Sequence, residues 1–176
     1  IGDVADGICK KLIYRHPHIF GTVEVGSSEE ILRNWDELKR KEKHQETDTS
    51  ALESVAKSLP GLIRAEKLQK KAAKVGFDWE NAQGALEKVE EELDEVKQAV
   101  AGDGDPEEEL GDLLFAAVNV ARHLKVDPER AMEKTCNKFV RRFAEMERQA
   151  RQESKVLSDL SLTELDTLWN RSKEKE

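Results

Sequence analysis

The sequence predicts an all-α protein. Three observations carry that expectation. Apolar residues, mostly Leu, Ala and Val, recur at three- and four-residue spacing through most of the 176-residue chain. Gly numbers 10 and Pro 4, too few for a domain of many short strands and turns. Charged residues make up 38% of the chain, equal to the hydrophobic share, which suits helices with one solvated face.

Residues 1–14 read as a helix whose apolar side is Val4, Ile8, Leu12 and Ile13. Pro17 ends it, because the residue before a proline is pushed out of the helical region. "TVEV" at 22–25 is a candidate for a very short extended piece. Ser28 is the expected N-cap of a helix carrying Ile31, Leu32, Trp35 and Leu38, which runs into a charged, solvated end over 39–46. Residues 47–61 read as a linker with a helical turn or two, closed by Pro60-Gly61. A helix follows over 62–76, with Gly76 at the left-handed C-cap position. Asp78 is the expected cap of the next helix, which carries Trp79, Ala82, Leu86, Val89, Leu93 and Val96 as far as about Val100.

Asp105 and Pro106 give a cap followed by a first-turn proline, so a helix is expected over about 106–124. Its core stripe is Leu110, Leu113, Leu114, Ala117, Val118 and Ala121, with Val120 beside it. Asp127-Pro128 repeats the start signal for a long helix to about Gln152. Ser161 and Glu164 have capping-box spacing for a last short helix through Trp169.

Net charge is −8, and its distribution is uneven. Residues 78–112 hold 14 acids and 2 bases, whereas 1–77 hold 12 acids and 14 bases and 113–176 hold 11 and 13. A broad basic face for nucleic acid is therefore not expected. A confined acidic window invites a cation instead. Cys9 and Cys136 form no CxxC and read as ordinary thiols of a reducing compartment. No apolar run is long enough to span a membrane, and no signal peptide is seen, so the expected location is cytoplasmic. The first residue is Ile, inside a helical pattern, as in a fragment of a longer chain.

Within the acidic window, Glu91, Glu92 and Glu95 lie on one helix, and Glu109 and Asp112 on the next. Spacings of three and four residues put side chains on a shared helix face. Two helices joined by a short turn run antiparallel, so the acidic faces can meet. Five like charges together repel unless neutralised, and a hard divalent cation such as Mg²⁺ neutralises them. Gly111 weakens its helix, by about 1 kcal/mol relative to Ala, and is expected to permit a close approach of helix, metal or ligand. Glu87, Glu90, Asp94, Glu107 and Glu108 read as a solvated face. "DGD" at 103–105 is not followed by a calcium-loop pattern. His16 and His18 lack the further ligands a zinc site needs, and there is no P-loop and no GxSxG.

This acidic arrangement resembles that of MazG-type nucleoside triphosphate pyrophosphohydrolases, and the resemblance implies a triphosphate substrate, which carries about four negative charges and enters such a site only with metal. Cations are then expected on its distal phosphates. Lys138, Arg141 and Arg142 lie on the long helix, with Lys138 and Arg142 four apart. Lys88 precedes Glu92 by four and can touch phosphate or pair with that Glu. Asn119 follows Asp112 by seven, on the same face, and can read sugar or base. Trp79 and Trp169 are candidates for stacking on a base, with core packing as the simpler reading.

The arrangement Glu91-Glu92-x-x-Glu95 followed by Glu109-x-x-Asp112 resembles the EExxE…ExxD signature of MazG-type nucleoside triphosphate pyrophosphohydrolases. "FDWENAQGALEKVEEELDEV", "EEELGDLLFAAVNVARHL", "NKFVRRF" and "LWN" resemble the catalytic C-terminal domain of bacterial MazG. "CKKLIYRHPHIFG" and "NWDELKRKEK" resemble the end of its N-terminal domain and the connection. The resemblance implies that 1–60 is the end of an N-terminal MazG-like domain plus linker, and 61–176 the catalytic helical domain. It implies an all-α bundle completed by dimerisation, as a homodimer or higher homo-oligomer. The implied reaction is Mg²⁺-dependent hydrolysis (Mn²⁺ being an alternative metal) of ribo- and deoxyribonucleoside triphosphates to monophosphate and pyrophosphate.

By match to the signature, Glu92, Glu95, Glu109 and Asp112 are the implied metal ligands, and Glu91 a ligand or the base that orients water. Lys88, Asn119, Lys138, Arg142 and Trp169 are the candidate substrate contacts. The N-terminal domain's own acidic signature is absent, so the resemblance assigns no activity to residues 1–60. Two other readings compete: a catalytically silent helical dimerisation module, and a narrow house-cleaning enzyme for noncanonical nucleotides.

Overall fold

The computed structural model describes residues 1–23, 25–42 and 47–173. Their regular structure is helical, and no strand occurs among them. The elements are α1 (Gly2–Arg15), α2 (Pro17–Phe20), α3 (Ser28–Glu42), α4 (Asp48–Glu53), α5 (Gly61–Ala73), α6 (Ala82–Val100), α7 (Pro106–His123), α8 (Pro128–Gln152) and α9 (Leu162–Lys173), with a 3-10 turn at Leu157–Asp159. The chain divides into two compact units. One comprises Ile1–Pro60 and Lys67–Asp78, the other Gly61–Glu66 and Trp79–Glu176, so α5 contributes a part to each.

In the first unit, α1 packs against α2 and α3. Arg15 on α1 donates from Nε to Glu42 Oε2 on α3 at 2.7 Å. Trp35 lies under two cations, 4.6 Å from Lys39 Nζ and 5.8 Å from the Arg15 guanidinium carbon. The cap of α3 falls one residue earlier than expected: Ser27 Oγ accepts from the Glu30 N–H at 3.2 Å, so Ser28 is already helical. The polar stretch expected to form a linker with a helical turn or two forms α4, held by a Thr47–Ser50 capping box. The expected extended piece does not appear among the described residues, residue 24 lying outside them. Part of the charged run, 43–46, also lies outside.

The second unit positions the acidic cluster. Its helix starts follow local chemistry. Asp105 Oδ1 accepts from Glu107 N–H at 2.9 Å, and Asp127 Oδ1 from Arg130 N–H at 3.0 Å. Ser161 N–H donates to Glu164 Oε2 at 3.0 Å, closing the predicted capping box. Asp78 does not cap α6. Asn81 does, accepting from the N–H groups of Gln83 and Gly84. Just before this start Trp79 folds back over Gly84, where a Cβ would meet the indole at 2.9 Å. Trp79 is nonetheless 47% exposed and is not a core residue.

Helices α6 and α7 form a hairpin across the five-residue turn 101–105. Its buried apolar side chains are small: Ala85 and Ala99 on α6, Ala116 and Val118 on α7. The expected core stripe of α7 is therefore only partly buried. Leu110 and Leu114 are 49% and 48% exposed, Ala117 is exposed, and Leu113 is half-buried. One neighbouring helix covers a narrow seam, and this stripe is wider than that seam. Helices α8 and α9 instead close a core of Met146, Ala150 and Leu168, flanked by Leu157, Leu160, Leu165 and Trp169. No helix among the described residues is long and apolar enough to cross a membrane.

Candidate metal centre

The α6–α7 hairpin gathers the carboxylates. Glu92 comes from the middle of α6, and Glu109 and Asp112 from the first turns of α7. The start of α7 favours them electrostatically, because unpaired N–H groups make a helix N-terminus partly positive. One oxygen from each of Glu92, Glu109 and Asp112 lies within 4.8 Å of the other two. Burial is graded: Glu92 is 4% exposed, Glu109 is half-buried and Asp112 is exposed. The cluster therefore has a dry floor and an open mouth.

The two oxygens of Glu92 differ. Oε1 takes the Lys88 ammonium at 2.6 Å. Oε2 is buried with no hydrogen-bond donor. A buried, undonated carboxylate oxygen costs free energy, and a cation bridging the three carboxylates would satisfy it. All donors here are hard oxygens, the set that Mg²⁺ and Mn²⁺ prefer. Glu95, one turn after Glu92, has its carboxyl pKa held above the usual range by hydrogen bonding to Glu92, helped by desolvation and the charges of Glu92 and Glu109, while Lys88 opposes the shift. Crowded like charges raise a carboxyl pKa in this way.

Comparison with known proteins agrees with this geometry. Residues 80–146 match the family model of the MazG nucleotide pyrophosphohydrolase domain. A protein of Escherichia coli strain K12 described as a nucleoside triphosphate pyrophosphohydrolase is 42% identical over 178 residues, covering 99% of this chain and 68% of that protein. The chain belongs to the MazG nucleotide pyrophosphohydrolase family. A Thermotoga maritima relative, described as nucleoside triphosphate pyrophosphohydrolase/pyrophosphatase MazG, is 42% identical over 98% of this chain and 66% of its own length. A Bacillus subtilis relative described as uncharacterized protein YabN is 47% identical over the whole chain, which spans 36% of that protein.

The MazG match includes the hairpin and most of α8. It encloses Lys88, Glu91, Glu92, Glu95, Glu109, Asp112, Asn119, Lys138 and Arg142, while Trp169 lies beyond it. The structure brings Glu92, Glu109 and Asp112 into one cluster, with Glu95 against Glu92. Glu91 is exposed and accepts from Lys88 Nζ at 2.8 Å. Asn119 is engaged on its own helix, its Oδ1 accepting from Arg122 Nη2 at 2.6 Å and Nε at 3.0 Å.

Lys138 lines a depression of about 330 Å³ with Lys134, Thr135, Asn137 and Arg141. That depression belongs to α8 alone and includes none of the converging carboxylates. Trp169 forms a second group with Phe139, ring centres 5.2 Å apart, and with the Arg142 guanidinium carbon 5.7 Å above its ring. Phe139 and its stacked neighbour Phe143 were not among the predicted contacts. Their four-residue spacing in "NKFVRRF" is the signal that marks them. No element of this chain approaches Gly111 closely, since a Cβ there would meet nothing within 4 Å.

Proposed function

We propose that this chain is a divalent-cation-dependent nucleoside triphosphate pyrophosphohydrolase. It would hydrolyse ribo- and deoxyribonucleoside triphosphates between the α- and β-phosphates, giving monophosphate and pyrophosphate. The observation that carries this reading is the convergence of the Glu92, Glu109 and Asp112 carboxylates, Glu92 being buried with one oxygen that has no donor. Family membership supplies the reaction class, and the relatives' descriptions name the substrate class.

Glu92, Glu109 and Asp112 would hold the cation, Mg²⁺ or Mn²⁺, with Glu95 joining them. When bound, the cation supplies charge neutralisation for the triphosphate and lowers the pKa of water. The side chains do the rest. Glu91, outside the converging trio, would accept a proton from the attacking water. Lys138 and Arg142 would hold the distal phosphates, and Lys88 would reach phosphate from α6. Asn119 and Trp169 would contact sugar and base, Asn119 with its Oδ1 already committed to Arg122. The catalytic part would be residues 61–176, and 1–60 the end of a preceding domain with its linker.

We further propose that the bundle is completed by a second copy of the chain, as a homodimer. Leu86 and Leu93 on α6, Leu110 and Leu114 on α7, and Phe139 and Phe143 on α8 are all more than two-fifths exposed. Apolar faces of that breadth favour association. The test of function is chromatography of products from ATP and dATP with Mg²⁺. Monophosphate and pyrophosphate should appear together from the first turnover. Diphosphate and orthophosphate as primary products would overturn the assignment.

A further inference from the structure

The acidic cluster already has a cation of its own. Lys88 Nζ lies 2.6 Å from Glu92 Oε1 and 2.8 Å from Glu91 Oε1. Glu92 is therefore divided: Oε1 holds an ammonium, Oε2 is buried without a donor, and one of its oxygens lies within 4.8 Å of carboxylate oxygens of Glu109 and Asp112. The lysine side chain is about one-third exposed, so its head has room to leave. Both Glu bonds favour the charged ammonium, so any change in its pairing is a movement and not a loss of its proton.

Two consequences follow from Coulomb's law. An ammonium on Glu92 offsets part of the cost of a buried carboxylate while no metal is present. It also repels a divalent ion entering between Glu92, Glu109 and Asp112 and competes for the same carboxylate. A triphosphate changes this balance, because its anionic oxygens offer Lys88 a second partner. An i, i+4 lysine on a four-carbon stem can swing from Glu92 to a phosphate without moving the helix.

We propose that Lys88 is a resident counter-cation of the metal site. It clamps Glu92 and Glu91 when metal is absent, weakens binding of metal alone, and couples metal to nucleotide by transferring to phosphate when both arrive. This rests on the metal-site reading above and adds to it. In the proposed scheme Lys88 is both a phosphate contact and a positioning residue for Glu92. The coupling must be reciprocal: whatever nucleotide does to metal affinity, metal does to nucleotide affinity.

The experiment measures Mn²⁺ binding to nucleotide-free protein by the paramagnetic resonance signal of the free ion. It compares wild type, Lys88→Met, Lys88→Gln and Lys88→Arg. The two neutral variants should bind Mn²⁺ roughly tenfold more tightly than wild type, while the charge-keeping Arg variant should stay within about threefold. A non-hydrolysable α,β-imido triphosphate should tighten Mn²⁺ binding in wild type and do so much less in the neutral variants. Metal-free melting supplies a second readout: the neutral variants should melt lower than wild type and gain more from Mg²⁺. If neither neutral variant binds Mn²⁺ more tightly, Lys88 is not a resident counter-cation. A Glu109→Gln, Asp112→Asn variant separates the two ideas. If it binds Mn²⁺ like wild type, the metal-site reading fails and Lys88 falls with it. If it loses Mn²⁺ while the neutral Lys88 variants show no gain, only the Lys88 proposal is overturned.

Discussion

The two helix pairs of the second unit are built to opposite specifications. Helices α8 and α9 meet through Met146, Ala150 and Leu168, and Leu168 is 4% exposed. Helices α6 and α7 meet through alanines, bury a carboxylate, and leave their leucines half in solvent. A hairpin held by small residues brings backbones close, and that closeness lets carboxylates from two helices converge. The α8–α9 pair closes its core within the chain, although Phe139 and Phe143 on α8 stay more than two-fifths exposed. The α6–α7 pair carries the converging carboxylates and a half-exposed leucine stripe, and we propose it as the functional half.

The sharpest way to break this comparison is at the acids. Replacing Glu109 by Gln and Asp112 by Asn should reduce turnover by about 10³-fold or more, the scale of removing a preorganised electrostatic group. Metal-free stability should rise at the same time, because like charges are relieved. A double variant that is plainly less stable without metal, with turnover intact, would make these acids structural.

Truncation in the two cores should separate them next. Leu168→Ala should cost about 3 kcal/mol in urea unfolding, as for a buried leucine. Leu114→Ala should cost less than about 1 kcal/mol within a protomer, because the residue is half-exposed, but should shift assembly toward monomer in light scattering. Equal losses at both positions would erase the contrast. Wild type that scatters as a monomer at micromolar concentration would remove the second copy.

Metal and pH sharpen the comparison further. The folded-state pKa of Glu95 is raised, so its contribution to stability is fully present below the unfolded value and is lost as pH rises through the folded one. Metal-free protein should therefore lose stability as pH climbs out of the carboxylate range. Added Mg²⁺ should raise the melting temperature more at about pH 8 than at about pH 5, since it binds the ionised site. No Mg²⁺ response at either pH would contradict the site.

The smallest effects lie at helix starts and at a glycine. Hydrogen bonds from Ser161 hold the Glu164 carboxyl below its usual range. Its contribution is present above the unfolded pKa and is lost as pH falls through the folded one, so wild type should be more stable than Glu164→Gln at neutral pH and acid titration should close that gap as pH falls through and below the ordinary carboxylate range. Gly111→Ala has space within one protomer and should stabilise the helix by up to about 1 kcal/mol. Loss of turnover or of dimer in that variant would place a second copy or a ligand against Gly111.

Local chemistry made much of this molecule legible. The starts of α7 and α8 follow from Asp105-Pro106 and Asp127-Pro128, and α9 from Ser161 and Glu164, because a cap is a bond between near neighbours. The acidic signature was legible for the same reason: spacings of three and four fix which side chains share a face, and a five-residue turn brings two such faces together. Tertiary contact decided the rest. Asn81, and not Asp78, caps α6: both residue types cap well, so local preference did not choose between them. The stripe of α7 has helical periodicity, but periodicity states which residues share a face and not what covers it, so Leu110 and Leu114 emerged half-exposed. The division of labour among five similar acids was decided only by packing: Glu92 sank to the floor, Glu95 came against it with its carboxyl pKa raised, and Glu91 turned outward to Lys88. Identical side chains differ there only in dielectric and neighbours, and those are properties of the assembled hairpin.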